Sequence, residues 1–551
     1  MKGRGTGIGI GVVVALFALF VWHQRWLSDD GLIFTRTVRQ LLAGNGPVFN
    51  SFERVEANTS TLWTYLLFIV AWITRLDTTL IAVILGGLLS VAGLAIALDG
   101  TRRLHRLRGT QGLLVPCGVF ILLGATPFWD FATSGLETGL AMFWQAACWW
   151  LLVTVTTRRH DALAAFVFGL GVLVRPELAL MTFVFGAAAY LITGPTKKQT
   201  FALLVIAFAL PFAYEVFRAG YYGALVPMPA LAKSATSAAW GRGWSYLKDF
   251  EKPYHLWIPV LVLGVLSVYT FKRVNRPTRI IVLAPIITGT LLALFVLRVG
   301  GDFMHARMML PPLFLMGLPL FLVPVRTFTV PAVAVLAIWA LIIGIKLDDS
   351  RSHATSDVVE DERAGYARWT GRHHPINPYA FVHAELHAAT QLYRHYFTGT
   401  HVVVNVDDPD HTMVINPENP HTSVYIDGRL GTGGLVTPLD AIVADTLGLA
   451  NPLGARITAT NAGFPGHEKP LPGSWLVAQF ADPDTVWGPA PAADIKAARH
   501  AMTCGALAEM LASVHEPLTA SRFFKNLIGS VGRTRLVIPA SPLEAEAKFC
   551  R

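Results

Sequence analysis

Charged side chains are scarce along this chain. They make up 15% of its 551 residues, against about 25% in an ordinary soluble protein. Apolar side chains make up 53% and are unevenly spread. Residues 5–346 carry run after run of about 15–20 apolar residues, whereas 347–551 reads as an ordinary polar globular chain. A single soluble domain is thereby excluded. The expectation is a polytopic α-helical membrane domain over 1–346, followed by a soluble mixed α/β domain over 347–551. Acids are nearly missing from the short links between apolar runs. Those links hold Lys2, Arg4, Arg102, Arg103, Arg106, Arg108, Arg158, Arg159, Lys197, Lys198, Lys272, Arg273, Arg276, Arg279 and Arg326, with Asp161 the only clear acid. That asymmetry marks the links as cytoplasmic. The net charge of +9 therefore reports topology, and a nucleic-acid partner is not expected.

Cysteine is rare too, at four residues. Cys117 and Cys148 fall within apolar runs and read as buried small hydrophobes. Cys504 and Cys550 bracket the last segment of the soluble domain and are expected to form a disulfide if that domain lies outside the cytoplasm. No small-residue cleavage site follows the first apolar run, so 5–27 is expected to stay as the first membrane helix. No Walker loop, Rossmann fingerprint, Gly-x-Ser-x-Gly elbow or HExxH motif occurs, which argues against nucleotide-dependent, α/β-hydrolase and zinc-protease chemistry. The histidines His373, His374, His383, His387 and His467 lack metal-ligand spacing, so no metal site is expected there. There is no internal repeat of the kind transporters often carry.

About 11 spans follow from the apolar runs and the cytoplasmic links, near 5–27, 78–98, 112–126, 138–157, 162–175, 178–194, 200–217, 255–272, 279–297, 308–325 and 328–346. The N-terminus is then inside and the soluble domain outside. Segment 61–75 is apolar but breaks this parity, so it is expected to be re-entrant, interfacial or part of a long tilted span.

The unusual polar residues gather in the outward loops. Asp29 and Asp30 follow the first span and open an amphipathic segment, LIFTRTVRQLL, expected to lie in the interface with its arginines toward headgroups. Ser28 or one of the acids is expected to cap that helix. A carboxylate pair at the water–lipid boundary is where removal of a sugar from a lipid carrier needs an acid–base group. Arg175, Lys233, His305 and Arg307 are the candidate cations for a lipid phosphate. Glu137 in SGLET, Tyr221 and Tyr222 in YYGALVP, and Asp302 after Gly300-Gly301 are candidate substrate contacts. For Glu137 and Asp302, helix capping is the competing role.

Taken together, SDDGLIFTRTVRQLLAGNGPVFNSFERVEANTSTLW, SGLET, RPE, YYGALVP, GGDFMHARMMLP and GHEKPLPGSW resemble the terminal β-(1→2)-arabinofuranosyltransferases of mycobacterial-type cell walls. Those are membrane glycosyltransferases of the GT-C class. The resemblance implies transfer of D-arabinofuranose from decaprenyl-phosphoryl-β-D-arabinofuranose to the non-reducing ends of arabinan in arabinogalactan and lipoarabinomannan, at the outer face of the plasma membrane. It places the family's paired acids on Asp29 and Asp30. Donor and product would both be β, so net configuration is retained, and a single in-line displacement is insufficient. A covalent intermediate on an Asp and a front-face transfer both satisfy this. No nucleotide is required, and a divalent metal at the phosphate is left as an option. The alternatives are a related enzyme acting on a protein or flagellar component, and a transporter of lipid-linked sugars.

Overall fold

The protein is described from a computed structural model covering residues 2–155, 160–233, 238–349, 359–399, 402–416, 423–459, 467–485 and 490–551. Arg158, Arg159, Gly466 and most of the charged lead-in before Val359 lie outside the described residues.

The first helix, α1 (Lys2–His23), is followed after a short link by α2 (Asp29–Leu42). Among the described residues, five helices are long and apolar enough to cross a membrane: Arg4–His23, Thr78–Leu107, Pro176–Thr193, Lys197–Tyr221 and Arg276–Val299. A sixth span results if Trp240–Tyr254 and Trp257–Phe271, bent by 90°, are one crossing. Shorter apolar helices are present as well, Thr61–Thr74 among them. The expected count of about 11 full spans is therefore not reproduced by helices of spanning length.

Two of the expected spans are broken for a clear reason. Pro116 interrupts 112–126, and Pro319 and Pro324 interrupt 308–325, where proline removes an amide and obstructs the preceding turn; Pro311 and Pro312 instead open the Leu310–Gly317 helix. The chain there forms β1 (Leu114–Pro116) and β2 (Leu322–Pro324), paired antiparallel. Elsewhere small residues let helices close up. Gly139, in the Thr138–Thr154 helix, sits so near Thr78–Leu107 that a Cβ on it would stand 2.2 Å from the Gly86 carbonyl oxygen.

The C-terminal part is a mixed α/β domain, as its alternating short runs imply. Strands β3 (Val402–Asn405), β4 (Asp408–Val414), β5 (Ser423–Asp427) and β6 (Ile442–Asp445) make a sheet of order β4-β3-β5-β6. β4 is the antiparallel edge and the other pairs are parallel. The Leu430–Val436 helix connects β5 to β6. Its N-terminus therefore lies at the carboxyl end of β5, where α/β sheets hold their ligands. Here that place is taken by α2.

This corrects the expected role of α2. It is not a helix lying in the interface with arginines reaching for headgroups. Arg36 is fully buried and donates to the carbonyls of Phe49, Gly434, Thr437, Pro438 and Ala441 at 2.8–3.2 Å. All five of its N–H donors are thereby used. Arg39 donates to the Leu435 carbonyl. The polar face of α2 is a docking face for the C-terminal domain. Packing also crosses the 346/347 boundary, because Val359, Ala380 and Phe381 are buried in the same core as the membrane helices.

Candidate active site between the membrane helices and the C-terminal domain

Ser28 caps α2, accepting from the Gly31 amide at 3.0 Å, so neither acid is needed for that task. The two acids then part. Asp29 turns to the C-terminal domain: its carboxylate accepts from the amides of Gly431 (2.9 Å) and Thr432 (2.8 Å) and from the Thr432 hydroxyl (2.8 Å). It thus supplies an N-terminal cap to a helix about 400 residues away in sequence. Burial raises its carboxyl to about 6, against the opposing pull of those donors. The approach is close enough to require glycine, since a Cβ at Gly431 would stand 1.9 Å from the Asp29 carbonyl oxygen.

Asp30 faces the other way, into a cavity of about 240 Å³ that it lines with Glu137, Arg175, Lys233, Asp302 and Arg307. Arg307 Nη1 donates to Asp30 at 3.3 Å, while its Nε donates to Asp302 at 2.6 Å. Burial alone would raise the Asp302 carboxyl, but Arg307, Lys233 and Arg175 together hold the group below its usual value. Asp302 is therefore an ion-pair partner rather than the cap of the following helix. Glu137 stands at the start of the Thr138–Thr154 helix without a capping bond and accepts from Arg175 Nη1 at 2.8 Å. Arg175 Nε donates to Glu177 at 2.5 Å. Lys233 has no ion-pair partner among the described residues. It is the cation with charge to spare.

His305 leaves this group. Ala306 between it and Arg307 has φ +61, a conformation uncommon outside glycine, and the two side chains line different cavities. His305 Nδ1 is 2.6 Å from Asp249 Oδ2, and the ring borders a larger cavity of about 890 Å³. That cavity lies between α1 and the Thr329–Asp349 helix, with Trp22, Trp129 and Tyr254 beside Asp130, Glu362 and Arg363. Of the four expected cations, Arg175, Lys233 and Arg307 share the smaller cavity, while His305 borders the larger one.

Gly300 and Gly301 both have positive φ, and a Cβ on Gly301 would stand 2.4 Å from the Tyr246 ring; Gly301 also lines the smaller cavity. Tyr221 and Tyr222 line neither cavity. They end the Lys197–Tyr221 helix where it packs on the C-terminal Ala520–Thr534 helix, and the Tyr222 hydroxyl donates to the Pro47 carbonyl. Cys504 and Cys550 are joined in a disulfide, away from both cavities. Sequence reasoning missed Glu362 and Asp249, since neither belongs to a motif and Glu362 sits in a charge run that reads as solvated.

Residues 407–544 match the AftB family C-terminal domain. The Mycobacterium tuberculosis protein named terminal β-(1→2)-arabinofuranosyltransferase is 34% identical over 97% of this chain and 96% of its own length. The Corynebacterium glutamicum protein of the same name is 35% identical over 94% of this chain and 84% of its own length. No solved structure matches the chain. With both the membrane helices and the C-terminal domain inside those alignments, the chain belongs to the terminal β-(1→2)-arabinofuranosyltransferase family.

Proposed function

We propose that this membrane glycosyltransferase moves D-arabinofuranose from decaprenyl-phosphoryl-β-D-arabinofuranose to the non-reducing ends of arabinan, forming terminal β-(1→2) linkages with retention. The observation that carries the reading is Asp30, a carboxylate beside three cations in a small cavity where the membrane helices meet the C-terminal domain. The donor phosphate occupies that cavity, held by Lys233 and Arg307. Arg307 holds Asp30 by its longer bond, 3.3 Å against 2.6 Å to Asp302. An incoming phosphate displaces Asp30 from Nη1 and leaves that carboxylate facing the sugar.

Retention follows from two inversions. Asp30 attacks the anomeric carbon, and the C–O bond to phosphate breaks with its electron pair leaving on the phosphate. The acceptor oxygen then attacks the same carbon, and the pair of the ester bond returns to Asp30. Arg307 and Lys233 stabilise the charge growing on the phosphate. Asp29, engaged by three donors from the Leu430–Val436 helix, holds the domains in register rather than reacting. The larger cavity takes the acceptor, its aromatic rings facing sugar rings and its few polar groups fixing orientation. The Cys504–Cys550 disulfide supports placing the C-terminal domain outside the cytoplasm, where such bonds persist.

The test is a transfer assay on purified full-length protein with synthetic polyprenyl-phosphoryl-arabinofuranose and a short α-(1→5)-arabinofuranoside, the product linkage and anomer being read by NMR. A β-(1→2) product is expected. An α-linked product would refute retention, and a demonstrably folded protein with no transfer would refute the donor.

A further inference from the structure

Glu362 is a carboxyl group that the steps above leave unused. It opens the Glu362–Thr370 helix, directly after the capping residue Asp361, whose side chain accepts from the Ala364 amide. It is only 7% exposed, yet it borders the larger cavity, and its Oε2 has no hydrogen-bond partner among the described residues. A buried polar atom left without a partner is uncommon and asks for a reason.

Its charged neighbours come from several elements. Asp30 and Asp29 of α2 act on it most strongly, followed by Arg307 and Asp302 from the link after Gly301. Tyr366 faces it from its own helix. Arg363 is turned to the Gln24 carbonyl and toward Asp130, and the His305 amide holds the chain just before it through the Glu360 carbonyl. No cation pairs directly with Glu362 among the described residues.

We propose that Glu362 is a catalytic residue that takes the proton from the acceptor hydroxyl during transfer. This rests on the reading above, in which the acceptor fills the larger cavity and Asp30 the anomeric position. Retaining sugar transfer through a carboxylate uses two carboxyl groups, one at the anomeric carbon and one for the proton. Asp30 fills the first role, and Asp29 is occupied by its three donors. Glu137 also keeps a buried oxygen without a partner among the described residues, but its other oxygen is held by Arg175 and it lines the smaller cavity. Glu362 feels the charge of Asp30 and borders the larger cavity, on the acceptor side. In the second step the acceptor oxygen bonds to the anomeric carbon, the ester bond to Asp30 breaks with its pair returning to Asp30, and the hydroxyl proton passes to the Glu362 carboxylate. The cavity then returns that proton to water. Burial, reinforced by Asp30 and Asp29, pushes this carboxyl above the usual range, which makes its ionised form a stronger base than an ordinary carboxylate.

The experiment measures transfer by the full-length protein from pH 5 to 9, together with the carboxylic C=O infrared band. Wild type is expected to gain activity as pH rises and to lose, over the same pH range, a protonated-carboxyl band that Glu362→Gln removes. Glu362→Gln should lower acceptor-dependent turnover by at least about 100-fold and lose the pH limb. Glu362→Ala should recover part of its activity with added formate, and Glu362→Asp should keep the limb at a reduced rate. Wild-type turnover and limb in Glu362→Gln would overturn the proposal; so would a loss in Glu362→Ala that formate leaves untouched. If Glu362→Gln fails to fold, the Glu362→Asp profile decides, an unmoved limb at full rate counting against the role. Absence of transfer by wild type refutes the donor assignment instead, and the infrared band still judges Glu362: without it, the proposal falls.

Discussion

Asp29 and Arg36, seven residues apart on α2, close the two ends of one helix. Asp29 accepts from the first amides of the seven-residue Leu430–Val436 helix, and Arg36 donates to carbonyls at its end. Seven residues of helix rise about 10.5 Å, so the two side chains match the length of the helix they hold. Each charge also has the sign that the helix dipole favours at that end.

Removing Arg36 should uncouple the C-terminal domain. Arg36→Met leaves several buried carbonyls without donors, each costing about 1–3 kcal/mol. The expected result is a loss of at least about 3 kcal/mol, seen as a lowered melting temperature and as new proteolysis between the two parts. Arg36→Lys should rescue little, because an ammonium cannot reach five carbonyls in a plane. A melting curve unchanged in Arg36→Met would contradict the docking role.

Asp29 should make docking sensitive to pH in an unusual direction. Its folded value, about 6, lies above the ordinary 3.8 of an aspartate, so ionisation disfavours the folded state. Its favourable contribution is complete below the ordinary carboxylate range and is lost as pH rises toward about 6. Asp29→Asn cannot ionise. The stability advantage of wild type over Asp29→Asn should therefore be larger at pH 4 than at pH 7, measured by thermal melts of each protein.

Asp30 and Lys233 should separate in kinetics. Asp30→Asn is expected to lower kcat by at least about 100-fold with the melting temperature retained. Lys233→Met should chiefly raise KM for the lipid-linked donor, because its charge holds phosphate in both ground and transition states. Equal effects of both substitutions on kcat alone would remove Lys233 from the phosphate site.

The disulfide joins positions 46 residues apart, and the chain-entropy relation assigns such a loop about 4 kcal/mol. Replacing Cys504 and Cys550 together by serine should lower the melting temperature of the C-terminal domain. Reductant should do the same to wild type and leave the double variant unchanged.

Much of the membrane domain was legible because its signals are local. Apolar runs, basic links and the Ser28 cap each depend on residues within a turn or two of one another. The concentration of acids and cations in a few loops was equally readable, and so was the mixed α/β character of the C-terminal domain. The division between Asp29 and Asp30 was not. Adjacent residues on a helix point about 100° apart, but only the distant Leu430–Val436 helix determines which carboxylate is capped over and which meets a cavity. Its glycines at 431, 433 and 434 were the available signal of a close approach.

The sequence by itself determined that apolar helices dominate residues 5–346 and that carboxylates and cations gather at their polar ends, because burying a charge in lipid is costly enough to govern composition. Tertiary structure alone decided that Arg36 faces protein, that His305 and Arg307 border different cavities, and that Glu362 is buried at the edge of the larger one. Those outcomes depend on contacts between segments hundreds of residues apart. No local pattern encodes them, because the energy of each contact exists only once both segments have arrived.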